Sequence, residues 1–278
     1  MTSTRRTADI VIFLVMLIGA ISMIFPFLWM LSTALKASQF VYRFPPQWIP
    51  NPFVWDNFVK VWSIAPIASG IKNSFIVAAC VVIIGTFSSS MAAFAFAKLN
   101  FPYKNLLFMM VLSTMMIPFI VILIPQFLLF SRLRWIDTLL PLIVPGTLGN
   151  VSIIFFLRQY IKGLSTELME AAKIDGCGYF RIYRGIYLPL CGPALAANVI
   201  LVFMNTWNDY LGPLVFTYSP ARSTIQLVIA SLNSFYAEQT DFPIVMAASI
   251  IAIIPILILF IVCQKYFVES FAFSGIKG

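Results

Sequence analysis

Residues 165–189 read Ser165-Thr-Glu-Leu-Met-Glu170-Ala-Ala-Lys-Ile-Asp175-Gly176-Cys-Gly-Tyr-Phe-Arg-Ile-Tyr-Arg-Gly-Ile186-Tyr-Leu188-Pro189, a polar interval between two long apolar stretches. Ser165 carries a hydroxyl able to cap a helix, and Glu167 and Glu170 fall near that helix's positive end. Leu168, Ala171 and Ala172 share one face at helical spacing. Gly176 allows the left-handed conformation that ends a helix. A second short helix is predicted over about 179–187, stopping at Pro189 where the next apolar stretch begins. The interval reads as a compact helix–turn–helix with a small-residue face and a rim of Lys173, Arg181 and Arg184. The plainer alternative is an ordinary amphipathic linker.

Outward from this interval, the chain is too apolar for a water-facing fold. Hydrophobic residues make up 61% of it, charged residues 10%, and 27 of its 278 residues are phenylalanine. Six stretches, about 11–35, 73–97, 106–131, 139–157, 190–217 and 243–264, are long enough to cross a hydrocarbon core that takes about 20 helical residues. Period-2 alternation is absent, so the spans are helices rather than barrel strands. The fold class is all-α, a polytopic membrane protein with about six transmembrane helices. The run over 11–35 exceeds a normal signal-peptide core, and five more spans follow it. With the N-terminus inside, Arg5, Arg6, Lys98, Lys104, Arg158, Lys162, Lys173, Arg181, Arg184, Lys265 and Lys277 fall on the cytoplasmic side. The shorter set, Lys36, Arg43, Lys60, Lys72, Arg132, Arg134 and Arg222, falls outside, so both termini are expected inside. The outer segment of about 36–70 is rich in Pro and Trp and is expected to lie at the membrane interface.

The spacing Glu170-Ala171-Ala172, three residues, Gly176, nine residues, Ile186-x-Leu188-Pro189 resembles the EAA loop of binding-protein-dependent ABC importer permeases. Trp207-Asn208-Asp209-Tyr210-Leu211-Gly212-Pro213-Leu214 looks like the signature that follows this loop in maltose-type carbohydrate permeases. The ending Ser274-Gly275-Ile276-Lys277-Gly278 is similar to the tail of the smaller, MalG-like permease subunit. Cys177 stands where the family usually carries alanine. The resemblance covers nearly the whole chain and implies the type I ABC importer permease fold, one permease domain over 1–278 with a cytoplasmic coupling loop over about 159–189. It implies that Glu170, Ala171, Ala172, Asp175, Gly176, Ile186, Leu188 and Pro189 couple to an ATPase, and that Gly275, Lys277 and Gly278 contact it. The partners so implied are a second homologous permease subunit, two ATPase subunits holding ATP-Mg, and an extracytoplasmic sugar-binding protein, in a bacterial or archaeal cytoplasmic membrane.

Asp209 is the one charged residue inside the six expected spans, and such a charge normally faces a watery or protein-lined cavity. Asn198, Asn205, Asn208, Asp209 and Gly212 would share one face of a continuous helix. Asn205, Asn208 and Asp209, with the rings of Trp207 and Tyr210, are candidates for a sugar path, although Trp207 points away from the Asn205 side. Hydrogen bonding between neighbouring helices is the bland alternative for these polar groups. Met115, Met116, Pro118 and Pro125 mark a point where the third span can kink.

Several functions are excluded or disfavoured. No Gly-x-x-x-x-Gly-Lys-Ser/Thr motif is present, so ATP hydrolysis belongs to other chains. Histidine is absent and the four cysteines lack metal or paired spacing, which leaves no constellation for an enzyme. The chain itself is expected to bind no cofactor. The net charge of +8 is dispersed, unlike a nucleic-acid-binding face. A proton-coupled secondary transporter would place more ionisable groups in its helices. Within the ABC class, glycerol phosphate, amino acids or osmolytes remain alternative cargoes.

Overall fold

A computed structural model of the chain describes residues 2–233 and 240–275, with side chains over residues 9–233 and 240–265. All regular structure among the described residues is helical. The chain forms two compact units, one comprising residues 1–67 with 228–254 and the other 68–227 with 255–278. Among the described residues, four helices are long and apolar enough to cross a membrane, rising to six when each of two bent pairs is counted as one span.

In the first unit, α1 (Thr2–Ala34) is followed by Pro-rich chain and then by α2 (Asn57–Ile64). Apolar side chains along α1 are exposed from Ile10 to Leu31, as a surface meant for lipid or another subunit requires. The Pro-rich segment folds back on the end of α1 through side chains. Trp48 packs edge-on to Trp29 at 4.8 Å, Lys36 lies 4.1 Å over the Trp29 ring, and Asn57 Nδ2 donates to the Ala34 and Lys36 carbonyls at 2.8 and 2.9 Å. Burial lowers the Lys36 pKa.

In the second unit, α3 (Ile67–Cys80), a π-helical turn (Val81–Gly85) and α4 (Thr86–Lys98) make one continuous span. A π turn leaves carbonyls poorly matched to the α ladder. Here the Gly85 carbonyl is satisfied by the hydroxyls of Ser88 (3.0 Å) and Ser89 (2.6 Å). The third expected span is two helices, α5 (Lys104–Ser113) and α6 (Phe119–Arg132), meeting at 97°. Of its prolines, Pro118 marks the break while Pro125 stays inside α6. The fourth span divides at Gly149 (φ +121°) into α7 (Leu140–Thr147) and α8 (Val151–Lys162), which runs past the expected end at 157.

The remaining elements of the second unit are α9 (Glu167–Ile174), α10 (Tyr179–Ile182), a second π turn (Tyr183–Tyr187), α11 (Leu188–Leu190), α12 (Gly192–Trp207) and α13 (Leu211–Phe216). The continuous helix expected over 190–217 is broken at 208–210, and a further bend of 80° separates residues 179–190 from α12. The chain continues through α14 (Ile225–Ser231) to α15 (Phe242–Gly275). The core of the second unit gathers Val77, Phe94, Leu157, Ile161, Tyr183 and Tyr187 from α3, α4, α8 and the loop helices.

Hydrogen bonds identify which span ends lie together. At one end, Lys98 Nζ donates to the Leu164 carbonyl at 2.7 Å and the Tyr187 hydroxyl donates to the Ser165 carbonyl at 3.2 Å. At the other, Asn73 Nδ2 donates to the carbonyls of Ala221 and Ser223, both at 2.9 Å. Asp137 there accepts from the backbone N–H groups of Tyr218 (3.1 Å) and Ser219 (2.9 Å) and from the Ser219 hydroxyl. The Ser219 hydroxyl above all, with the two N–H groups, holds the Asp137 carboxyl below the usual carboxylate range. This pairing agrees with successive crossings by residues 67–98, 104–132, 140–162 and 179–217.

Candidate functional site

The polar interval folds as two helices around a turn. The Ser165 hydroxyl accepts from the Glu167 N–H at 3.1 Å, which occupies one free donor at the start of α9. Its other end is a Schellman turn. Gly176 has φ +76°, its N–H donates to the Lys173 carbonyl at 3.0 Å, and the Cys177 N–H donates to Ala172 at 2.9 Å. A Cβ at Gly176 would meet nothing within 4 Å, so the demand for glycine comes from the backbone alone.

The expected single face of Leu168, Ala171 and Ala172 is divided. Ala172 is buried in the core of the second unit, with Met169 packed beside it. Leu168 and Ala171 face outward with Ile174, which is 87% exposed. Glu170, Asp175 and Gly176 are exposed around them. Ile174 stands three residues after Ala171 and continues that stripe, a spacing the sequence already carried.

The second helix also differs from expectation. It does not stop before Pro189 but runs to Leu190, with Pro189 in the first turn of α11. A proline there lacks only an N–H that the turn does not need, and the preceding π turn absorbs the altered register. Ile186 and Leu188 pack against the core. Tyr183 and Tyr187 are buried and join the interval to α4. The Tyr183 hydroxyl lies 2.7 Å from Ser90 Oγ, and Lys98 Nζ stands 5.5 Å over the Tyr187 ring. Two aromatics at i, i+4 within a basic segment were the available signal for this anchor. The tail residues Lys277 and Gly278 lie outside the described residues, and Gly275 is described only as the end of α15.

A cleft of about 710 Å³ opens within the second unit. Its polar lining comes from Asn205, Thr206, Asp209, Gln126, Asn150, Ser152 and Thr224 among apolar walls such as Val77, Phe119 and Leu142. Asn205 and Asp209 thus line the same cleft. Asp209 does so from the break in the span, with its Oδ1 accepting the Gly212 N–H at 3.1 Å. A Cβ at Gly212 would fall 2.5 Å from Asp209 Oδ2, which explains glycine at that position.

The other candidates do not line this cleft. Asn208 Oδ1 accepts from Gln226 Nε2 at 3.1 Å. Trp207 is fully buried and stacked on Phe203 at 5.4 Å. Tyr210 is 43% exposed elsewhere. Asn198 is buried and donates to its own helix at Ala194, 2.8 Å away. The break ends the helical phase at Trp207, so residues beyond it no longer share the Asn198–Asn205 face.

Four helix irregularities contribute to the cleft wall. Val81 and Gly85 come from the first π turn, Phe119 follows the Pro118 break, Gly149 and Asn150 form the break between α7 and α8, and Asp209 lies in the break after α12. Amide and carboxylate groups beside apolar walls can hydrogen-bond hydroxyls of a polar solute.

Comparison with known proteins agrees with this architecture. Residues 85–272 match the family of binding-protein-dependent transport system inner membrane components. The chain is 37% identical over 230 residues to the arabinooligosaccharides transport system permease protein AraQ of Halalkalibacterium halodurans, covering 82% of this chain and 81% of that one. It is 33% identical to AraQ of Bacillus subtilis, over 92% and 91% of the two chains. It is 31% identical to the sn-glycerol-3-phosphate transport system permease protein UgpE of Yersinia pestis, over 97% and 98%. A chain in the crystal structure of a bacterial ABC transporter involved in the import of the acidic polysaccharide alginate has the same fold, with a TM-score of 0.80 at 22% identity over 95% and 98% of the chains. This chain belongs to the binding-protein-dependent transport system inner membrane component family: it is a membrane-spanning permease subunit of an ABC transporter, not an enzyme.

Proposed function

We propose that the chain is one of two permease subunits of an importer that carries a sugar or oligosaccharide inward across the cytoplasmic membrane by alternating access. An extracytoplasmic binding protein delivers the solute, and two partner ATPase subunits holding ATP-Mg move the 159–189 loop. Both termini and this loop face the cytoplasm, and the 36–70 segment lies at the outer interface. The exposed stripe Leu168, Ala171 and Ile174, ringed by Glu170, Asp175 and Gly176, docks on an ATPase, with Ile186, Leu188 and Pro189 carrying its displacement into the membrane. Gly275, Lys277 and Gly278 reach the same ATPases. The whole chain, 1–278, acts as one permease domain.

The cleft lining is the observation that carries the cargo assignment. It holds amides, hydroxyls and one carboxylate but neither Lys nor Arg. Such groups suit neutral hydroxyls, whereas a phosphate would meet Asp209 without a cationic partner. This favours the cargo class in the name of AraQ over that in the name of UgpE. Asn205 and Asp209 are the path residues, while Asn208, Trp207 and Tyr210 shape the wall behind them or face the partner subunit.

Cysteines introduced at positions 205, 208 and 209, in a background without the four native cysteines, test the path. Membrane-impermeant thiol reagents should label 205 and 209 from outside, with protection by an arabino-oligosaccharide plus binding protein. Transport that stays intact while neither position ever labels would place the path elsewhere. Uptake of glycerol phosphate in preference to any oligosaccharide by the reconstituted transporter would overturn the cargo class.

A further inference from the structure

The ends of α4, α5 and α8 bring four cations to the side of the membrane that carries the 163–189 loop. Lys98 is used internally, on the Leu164 carbonyl and the Tyr187 ring. The other three form a cluster. Lys104 Nζ donates to the Leu99 carbonyl at 2.6 Å. Arg158 Nε donates to the Phe96 carbonyl at 3.2 Å, with its guanidinium carbon 3.8 Å over the Phe108 ring. Arg158 and Lys162 are near enough to Lys104 to repel it electrostatically.

None of these three makes an ion pair with a carboxylate among the described residues. Arg158 is nonetheless 7% exposed, and a charge withdrawn from water needs a countercharge or well-placed acceptors. Carbonyl oxygens supply acceptors but no charge. An arginine offers five N–H donors and a lysine three, and each of Arg158 and Lys104 uses one on the protein.

The position selects the missing partner. Lys104 begins α5 and Lys162 ends α8, so the cluster stands at headgroup depth. Beside it, Leu106, Leu107, Met109 and Met110 on α5 are exposed, which suits acyl chains. A basic pocket between membrane helices next to an apolar face is complementary to an anionic headgroup with a hydrocarbon tail. We propose that Lys104, Arg158 and Lys162 bind the phosphate headgroup of an anionic phospholipid in the leaflet adjoining the 163–189 loop. The bound lipid neutralises the junction of α4, α5 and α8 at the point where α8 leads into that loop.

The assembled transporter, in phosphatidylcholine vesicles carrying a trace of photo-crosslinking phosphatidylglycerol or of equally modified phosphatidylcholine, provides the test. The phosphatidylglycerol probe should mark peptides covering 96–108 and 154–162 in excess over the phosphatidylcholine probe. The double variant Lys104→Gln, Lys162→Gln should cut that excess by roughly fivefold for each charge removed, while Lys72→Gln leaves it unchanged. Equal labelling by the two probes overturns the proposal, as does an undiminished excess in an assembled double variant. Competition by inorganic phosphate that abolishes the excess assigns the cluster to a free anion and overturns the lipid site. If the double variant fails to assemble, the peptide map of the unmodified transporter still decides between these outcomes.

Discussion

Replacing Gly176 by Asn, Ala or Val separates a conformational demand from a steric one. The residue sits at φ +76°, yet a Cβ there meets nothing within 4 Å. Any loss must therefore come from the backbone. An L-residue in the left-handed region costs about 1–2 kcal/mol; Val is worse because its β-branch crowds that region, and Asn tolerates it best. A cost of this size lowers the population of the turn by a factor of roughly 5–30. The turn fixes the end of α9 through the Lys173 and Ala172 carbonyls, and so fixes the direction of Leu168, Ala171 and Ile174. ATPase subunits retained on the tagged permease, normalised to inserted permease, should fall in the order Gly, Asn, Ala, Val. Insertion, read from a fluorescent fusion, should not change. Val retaining as much ATPase as Gly, or Asn as damaging as Val, would show that the left-handed turn does not set the docking face.

Gly85→Ala drives a methyl into the Gly146 carbonyl oxygen, an overpacking cost of about 1–3 kcal/mol; the monodisperse yield on size exclusion should drop, while Gly19→Ala, which meets nothing within 4 Å, should not change it. Tyr183→Phe removes the buried contact with Ser90, and the loss of about 1 kcal/mol should show as fewer solute molecules moved per ATP, with equal coupling counting against the anchor. Asp137 has a lowered pKa, so its contribution to stability is present above the unfolded value near 4 and is lost as pH falls through the folded value. Asp137→Asn should lower the thermal transition by roughly 2–4 °C at neutral pH and flatten its decline in acid; an unchanged acid limb would show that its bonds to Tyr218 and Ser219 add no stability. Reporter fusions at Tyr103 and within 159–189 should read cytoplasm and one near Pro50 outside, whereas Tyr236, a further outer position, lies outside the described residues; an outside signal from 159–189 would end the ATPase-docking model.

What the sequence made legible was the part governed by local rules. Apolar length located the spans, the Ser165 hydroxyl and Gly176 delimited α9, and the lone charge at Asp209 pointed into the cleft. The division of α9 between buried Ala172 and exposed Ala171 was not legible, because offsets of three and four from Leu168 fit one helical face equally well. Only the packing of Tyr183 and Tyr187 on α4 selects which alanine turns inward. Pro189 misled for a related reason. Proline interrupts an α ladder but not the first turn after a π turn, and nothing local announces the π turn.

The breaks at Gly149 and 208–210 were illegible for a reason that also identifies the site. A helix is the default at membrane depth because lipid offers no partner to a free N–H or C=O. Apolar composition alone therefore predicts uninterrupted helices over 139–157 and 190–217, and over 106–131 but for its prolines. Each is interrupted: at Pro118, which the sequence marked, at Gly149, and at 208–210, where Asp209 takes over the Gly212 N–H. Irregular backbone at that depth survives only where protein covers it or a watery cavity meets it. Phe119, Gly149, Asn150 and Asp209 all line one cleft, so these three interruptions converge on a common polar space, whereas the bend at 190–192 lies away from it. If water in that space sustains the breaks, filling it should straighten them. Asn205→Leu with Asp209→Leu should therefore lower backbone hydrogen exchange at 148–150 and 208–212 relative to the unaltered transporter. Equal or faster exchange at both segments would mean that side-chain packing, and not a watery path, holds the spans open.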